Sequence, residues 1–213
     1  MSSDTARGTH LNQEELRSLS LQGIIKTFPR NTIIVSEGDE TDSFYIIIAG
    51  RVKVFVADEE GREIVLATQG PGDYFGEMVL DGGPRSASVM TLEPSRFAVI
   101  PKQQFRDFLQ THPAFSTHLV ERLIGRSRAL TGNVKSLALL DVYGRVARLL
   151  LEIAVNDNGR LIVDEKLTQQ DIASRVGASR EMISRIFKDL VAGGYISIEK
   201  KRITIHKNPP RHW

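Results

Sequence analysis

Three hydrophobic textures succeed one another along the chain. From Ile24 to Ile100 the apolar residues come in short β-branched and aromatic runs: Ile33–Val35, Phe44–Ile48, Val52–Val56, Ile64–Leu66 and Phe97–Ile100. Turn formers break them up, at Ser36-Glu37-Gly38-Asp39, Asp58-Glu59-Glu60-Gly61, Gly70-Pro71-Gly72-Asp73 and Asp81-Gly82-Gly83-Pro84. Many short strands at near-regular spacing predict an antiparallel sandwich, barrel or jelly roll. Ahead of them, Met1–His10 reads as a loose polar tail and Leu11–Leu19 has the spacing of a short helix.

The second texture is helical. Lys102–Gln110 predicts a helix, His112-Pro113 punctuates, and Phe115–Leu140 then runs for 26 residues without a proline, a helix of roughly 39 Å at ~1.5 Å per residue. Leu123, Leu130 and Leu137 recur at sevens, with Leu119 and Val134 between them, which suits a partner helix. Arg126, Ser127 and Asn133 interrupt that seam. The same stripe would serve a single amphipathic helix packed on its own core.

The third texture is a set of short helices. Asp141 predicts the N-cap of a helix carrying Val146, Leu149, Leu150 and Ile153; Asn156-Asp157-Asn158-Gly159 reads as a turn, and Leu161–Val163 as a strand. Thr168-x-x-Asp171 has the form of a capping box, and Ser179 can cap the helix after it. Ala173 and Gly177 are small where two helices must cross closely, with Ile172, Val176, Ile183, Ile186 and Leu190 as buried faces. Tyr195–Ile198 and Ile203–Ile205 predict a paired wing with Lys200-Lys201-Arg202 at its tip.

Composition removes several classes of function. With 213 residues, 41% of them apolar and 25% charged, the chain can build one large or two small cores. There are no cysteines, which excludes disulfides, thiol nucleophiles and cysteine-ligated zinc or iron–sulfur centres. The histidines are His10, His112, His118, His206 and His212, so none lies inside the strand-rich region where a haem or cupin-type metal would need one; His118 reads as an exposed or capping helix residue. No metal, haem or iron–sulfur cluster and no enzymatic activity is expected. No apolar run approaches the ~18 residues of a membrane span, and no signal-peptide core opens the chain, so a cytoplasmic protein without membrane partners is expected.

Net charge is only +2, so any basic surface is local. Between Thr168 and Lys207 there are eight Lys or Arg against four Asp or Glu, a net +4. Arg180, Glu181, Ser184, Arg185 and Lys188 face away from the apolar side of the second helix. Arginine donates two hydrogen bonds to guanine and glutamate accepts from cytosine N4, so this face can read bases in a major groove.

The remaining chemistry lies in Gly72–Val89. Its glycines permit close backbone approach, Arg85 offers a forked permanent cation, Ser86 adds a hydroxyl, and Glu77 could accept from a sugar hydroxyl. One cation suits a phosphodiester, and no Gly-Lys-Ser/Thr loop exists for a triphosphate. Glu77 and Arg85 could instead pair with each other and staple the loop.

Phe75-Gly76-Glu77 and Pro84-Arg85-Ser86-Ala87 resemble the phosphate-binding cassette of cyclic-nucleotide-binding domains. Ser179-Arg180-Glu181-x-x-x-Arg185 is similar to the recognition helix of the cAMP receptor proteins, and Leu137–Val142 to their hinge. The resemblance, to the cAMP receptor/fumarate–nitrate regulator superfamily, runs from about Leu21 to Ile205. It implies an α+β chain: a β-roll over 11–112, a central dimerisation helix over 113–140 and a winged helix-turn-helix over 141–213.

The resemblance also implies roles. Phe75, Gly76, Glu77, Met78, Arg85, Ser86 and Ala87 would form the nucleotide site, Glu77 holding the ribose 2′-hydroxyl, with Thr131 reaching the base. Leu130 stands beside Thr131 where relatives carry a second hydroxyl, and Val79 replaces a smaller residue and would narrow the pocket. Thr168, Gln170, Ser179, Arg180, Glu181, Ser184, Arg185, Lys188 and Lys201 would meet DNA. The implied protein is a homodimer binding near-palindromic duplex DNA with TGTGA-like half-sites, with RNA polymerase as a partner and cAMP as allosteric effector. Cyclic di-GMP, cGMP or no ligand are alternatives in the same class, and a nucleotide-binding interaction module without DNA function is the alternative outside it. The loop at Asn156–Arg160 looks shorter than the polymerase-contacting loop of the best-known relative, so no polymerase contact residue is carried over.

Overall fold

A computed structural model describes residues 18–40, 42–165, 167–199 and 202–209. The expected tail and most of the expected helix at Leu11–Leu19 lie outside these, as do Lys200 and Lys201. The chain forms two compact units, one built mainly of residues up to Ala129, the other mainly of residues from Leu130 onward.

The first unit holds eight strands: β1 (Ile24–Phe28), β2 (Ile33–Val35), β3 (Ser43–Ala49), β4 (Val52–Ala57), β5 (Glu63–Gln69), β6 (Tyr74–Phe75), β7 (Ser88–Thr91) and β8 (Ser95–Pro101). They make two four-stranded sheets, ordered β1-β8-β3-β6 and β2-β7-β4-β5. Two helices follow, α1 (Lys102–Thr111) and α2 (Pro113–Leu139). Val35, Val52 and Val89 from one sheet meet Ile47, Phe75, Phe97 and Val99 from the other in an inter-sheet core. The reverse face of the first sheet is covered too: Phe44, Ile46, Ala98 and Ile100 pack against Phe105 and Phe108 of α1 and Phe115 and Leu119 of α2. Phe44 stacks on Phe105 with ring centroids 3.9 Å apart. Burial on both faces explains why Phe44–Ile48 and Phe97–Ile100 are continuous apolar runs and not alternating ones.

The expected strands all form, and three more exist. β1 is exposed along most of its length, β6 has two residues directly after the turn at Gly70–Asp73, and β7 follows the Pro84-Arg85 loop. β1 is too exposed and β6 too short to leave a clear period, and Ser88 and Thr91 leave β7 just two apolar residues in its middle. The long helix starts at Pro113, the residue read as punctuation. A first-turn position tolerates proline because its N–H would have no intrahelical partner there.

The expected seam needs one correction. Leu119 is only 4% exposed and belongs to the core of the first unit. Leu123, Leu130, Val134 and Leu137 do form an exposed apolar stripe, joined by Val120 and Ile124.

In the second unit α3 (Val142–Ile153) begins after a break at Leu140–Asp141, and the Asp141 carboxylate accepts from the Gly144 amide at 2.7 Å. Strands β9 (Val155–Asp157), β10 (Arg160–Val163), β11 (Ile196–Glu199) and β12 (Arg202–Ile205) form one antiparallel sheet in the order β11-β12-β10-β9. The expected turn at Asn156–Gly159 shrinks to Asn158-Gly159, because Asn156 and Asp157 pair into β9. Helices α4 (Gln169–Val176) and α5 (Arg180–Ala192) pack Ile172, Ala173, Val176, Ile183, Ile186, Phe187 and Leu190 against Val146, Leu150, Ile196, Ile203 and Ile205.

Candidate effector pocket and nucleic-acid interface

After β6, Gly76 turns the chain at φ 88° into a 3₁₀ turn over Glu77–Leu80. A Cβ at Gly76 would lie 2.7 Å from Arg85 Nη1 and 2.9 Å from the Ser43 carbonyl, so only glycine lets the Arg85 loop come this close. Arg85 is 5% exposed and Glu77 9%. Arg85 Nη2 donates to the Ser43 carbonyl at 2.8 Å and Nη1 to the Gly76 carbonyl at 3.4 Å, while its guanidinium carbon stands 5.8 Å from the Tyr45 ring centre. Arg85 Nε and Glu77 Oε2 are buried with no hydrogen-bond partner. Leaving such groups unpaired costs about 1–3 kcal/mol each, more when charged. Both unpaired atoms belong to the side chains that would meet a sugar and a phosphate.

Glu77 does not pair with Arg85. Its Oε1 accepts from Arg126 Nη1, and Arg126 Nη2 donates to the Tyr74 carbonyl at 2.7 Å. The residue that seemed to break the helical seam is therefore drawn to the cassette. Arg122, one turn earlier, donates to Asp73 at 2.7 Å, and both guanidiniums lie over the Tyr74 ring, 5.2 Å and 5.6 Å from its centre. Burial pushes the Tyr74 phenol up to about 12, against the opposing pull of the two arginines. Burial likewise raises Tyr45. Sequence reasoning missed Arg122 and Arg126; their signal was the i, i+4 spacing of two arginines on a helix otherwise read for its apolar stripe.

Of the other expected site residues, Phe75 is a core residue, its ring 4.8 Å from Tyr45 and nearly parallel to it. Ala87 is buried, while Met78 and Ser86 are exposed beside the turn. Val79 is fully buried in the cluster with Phe44, Tyr74 and Phe115, where its bulk fills the core. Thr131 is exposed on the later half of α2, and His118 is half-buried rather than exposed.

In the second unit Thr168 and Asp171 form the reciprocal capping box of α4, and the Ser179 hydroxyl accepts from the Met182 amide to cap α5. The turn between them ends α4 at Gly177, φ 63°. Arg145 braces that turn, donating to the carbonyls of Val176 at 2.7 Å, Gly177 at 3.3 Å and Leu140 at 2.9 Å. This bridging role has no local sequence signature. Arg180, Glu181, Arg185 and Lys188 are exposed along one face of α5, with Ser184 half-buried among them; Thr168, Gln170 and Ser179 are exposed at the starts of the two helices.

Among the described basic residues of this region, Arg175 and Arg202 are engaged elsewhere. Arg175 donates twice to Glu165, at 2.7 and 3.2 Å, and Arg202 lies 3.1 Å from Asp164 and 3.7 Å from Asp157. Arg202 is thus tied to carboxylates rather than projecting freely at the tip of the wing.

Both parts of the chain match known families. Residues 25–112 match the cyclic nucleotide-binding domain and residues 144–209 the Crp-like helix-turn-helix domain. The chain is 37% identical over 183 residues to the CRP-like cAMP-activated global transcriptional regulator of Mycobacterium tuberculosis, covering 84% of this chain and 82% of that one. The chain belongs to the CRP/FNR family of transcription regulators.

A second CRP/FNR relative, the cAMP-activated global transcriptional regulator CRP of Pasteurella multocida, is 35% identical over 85% of this chain and 90% of its own length. In fold, the protein is similar to the c-di-GMP responsive global regulator CLP of Xanthomonas campestris, with a TM-score of 0.80 and 24% identity over 91% of this chain and 99% of that one. A CooA mutant from Carboxydothermus hydrogenoformans gives a TM-score of 0.78 at 20% identity, over 88% and 85% of the two chains. Membership places the protein among DNA-binding transcription regulators, not enzymes. No helix among the described residues is long and apolar enough to cross a membrane, and no cluster of His, Cys, Asp or Glu among them could hold a metal ion.

Proposed function

We propose that this CRP/FNR protein is a homodimeric, sequence-specific regulator whose DNA affinity is set by a cyclic nucleotide, cAMP in the first instance. One observation carries the effector reading: Glu77 Oε2 and Arg85 Nε are buried, close to one tight glycine turn, and without partners. A ribose 2′-hydroxyl donating to Glu77 and a cyclic phosphate accepting from Arg85 and Ser86 would satisfy them. Thr131 is the candidate for the base, in its own subunit or its neighbour. The names of the Mycobacterium tuberculosis and Pasteurella multocida relatives support cAMP and an activating sign.

Dimerisation is supported by the exposed stripe Val120, Leu123, Ile124, Leu130, Val134 and Leu137 on α2. The helix break at Leu140–Asp141 is the proposed hinge between the dimerisation helix of 113–140 and the reader of 141–213, with the roll over 11–112. Through it, effector binding would set two α5 helices at one-turn spacing on a near-palindromic site with TGTGA-like half-sites. RNA polymerase is the expected partner of the DNA-bound dimer.

Calorimetric titration with cAMP, cGMP and cyclic di-GMP tests the effector assignment. The expected result is saturable cAMP binding with one site per chain and weaker binding of the others. Preference for cyclic di-GMP would reassign the ligand, and no binding of any would remove the gating role.

A further inference from the structure

The two arginines of α2 differ in what they reach. Arg126 touches Glu77, the residue read as the ribose acceptor, whereas Arg122 pairs with Asp73. Its Nη2 donates to Asp73 Oδ1 at 2.7 Å in a pair whose side chains are only 18% and 25% exposed. Asp73 is fixed independently. Its Oδ2 accepts from the Gly70 amide at 3.0 Å, and its carbonyl accepts from the Ile47 amide at 2.9 Å on β3. Arg122 is therefore anchored to a rigid corner of the first unit.

From that anchor Arg122 covers part of the Tyr74 ring at 5.2 Å, and Arg126 covers the same ring at 5.6 Å while donating to the Tyr74 carbonyl at 2.7 Å. Two guanidiniums on one aromatic ring repel each other unless each has its own carboxylate, which Asp73 and Glu77 supply. Arg126 reaches the Glu77 carboxylate from over the ring it shares with Arg122, whose charge Asp73 offsets.

We propose that Arg122 is a positioning residue for ribose recognition, fixing Glu77 through Asp73, Tyr74 and Arg126 without touching the nucleotide. This rests on the reading of Glu77 as acceptor for the 2′-hydroxyl. It adds a layer outside the two diagnostic motifs, since Asp73 and Tyr74 precede Phe75-Gly76-Glu77 and Arg122 lies 49 residues beyond Asp73.

The test compares cAMP with 2′-deoxy-cAMP by calorimetry on the full-length protein, with denaturant unfolding in parallel. The wild type should prefer the parent by roughly tenfold or more, the effect of one charged hydrogen bond. Arg122→Ala should narrow the preference to below about threefold, chiefly by weakening the parent, and Arg122→Lys should recover part of it. Asp73→Asn keeps the bond from Gly70 but removes the charge, and should narrow the preference too; it carries the test if Arg122→Ala does not fold. Equal weakening of both nucleotides, or an unchanged preference in either variant, overturns the proposal. A wild type that binds cAMP without preferring it over the deoxy analogue overturns the Glu77 reading itself, and the proposal with it.

Discussion

The effector pocket and the reader helix are built by opposite means. Apart from the Arg145 brace on the turn, what shapes the α4–α5 face is local in sequence: Thr168 caps through Asp171 three residues on, Ser179 caps through Met182, and the exposed Arg180, Glu181, Arg185 and Lys188 share one stretch of helix. The pocket is assembled from afar. Glu77 takes its cation from Arg126, 49 residues away, and Arg85 donates to Ser43, 42 residues away. The α5 face presents its polar side chains to solvent, whereas the cassette buries Glu77 and Arg85 and leaves a polar atom of each unpaired. An exposed polar surface remains hydrated, whereas buried polar groups without partners carry a desolvation cost that a bound ligand could offset.

That contrast can be broken first at the pocket. Arg85→Ala should lower cyclic-nucleotide affinity more than 100-fold, since it removes the only cation of the cassette, with stability falling by about 1–3 kcal/mol through the stranded Ser43 and Gly76 carbonyls. Calorimetry together with urea unfolding checks both, and unchanged affinity for every cyclic nucleotide would sink the pocket assignment. Leu130→Asp should come next in size. Leu130 is half-exposed in the single chain, so the variant should fold, but a charge buried in the proposed seam should dissociate the dimer. Sedimentation at micromolar concentration should find monomers, and a folded wild type that is already monomeric would refute the seam.

Effects at the reader should be smaller and base-specific. Arg180→Ala or Arg185→Ala should cost about 1–3 kcal/mol at one cognate base pair and relax preference there, measured on single-base operator variants. A uniform loss across all variants would mean that the residue meets phosphate instead. The smallest expected change is that of Arg202→Ala. Because Asp164 and Asp157 already hold Arg202, the salt dependence of binding should shift by well under one unit of slope, where a free phosphate contact would shift it by about one.

What could be read in advance follows the same division. The caps at Asp141, Thr168 and Ser179, the buried faces of α4 and α5, and the α5–wing order each rest on neighbours a few residues apart, and all form. The five apolar runs became strands, while β1 escaped as an exposed edge, β6 as only two residues, and β7 because Ser88 and Thr91 leave it just two apolar residues in its middle. The misreadings share a cause. Leu119 fits a heptad yet packs on Phe115 and the sheet, Arg126 breaks a heptad yet pairs with Glu77, and Val79 looks like a pocket residue yet fills the core. In each case an element distant in the chain chose the side chain's direction, and spacing alone cannot name that element.

In the proposed function, nucleotide binding in the first unit governs DNA binding by the second. The most direct test of that coupling is the affinity of the wild type for a fluorescent near-palindromic duplex, by anisotropy at fixed salt, with and without saturating cAMP. Coupling between two such sites is typically worth about 1–3 kcal/mol, so cAMP should tighten specific binding by roughly 5- to 150-fold, and the Arg85→Ala protein should lose that response while keeping its basal DNA affinity. Specific DNA binding that is identical with and without cAMP, in a protein that calorimetry shows to be nucleotide-saturated, would contradict it.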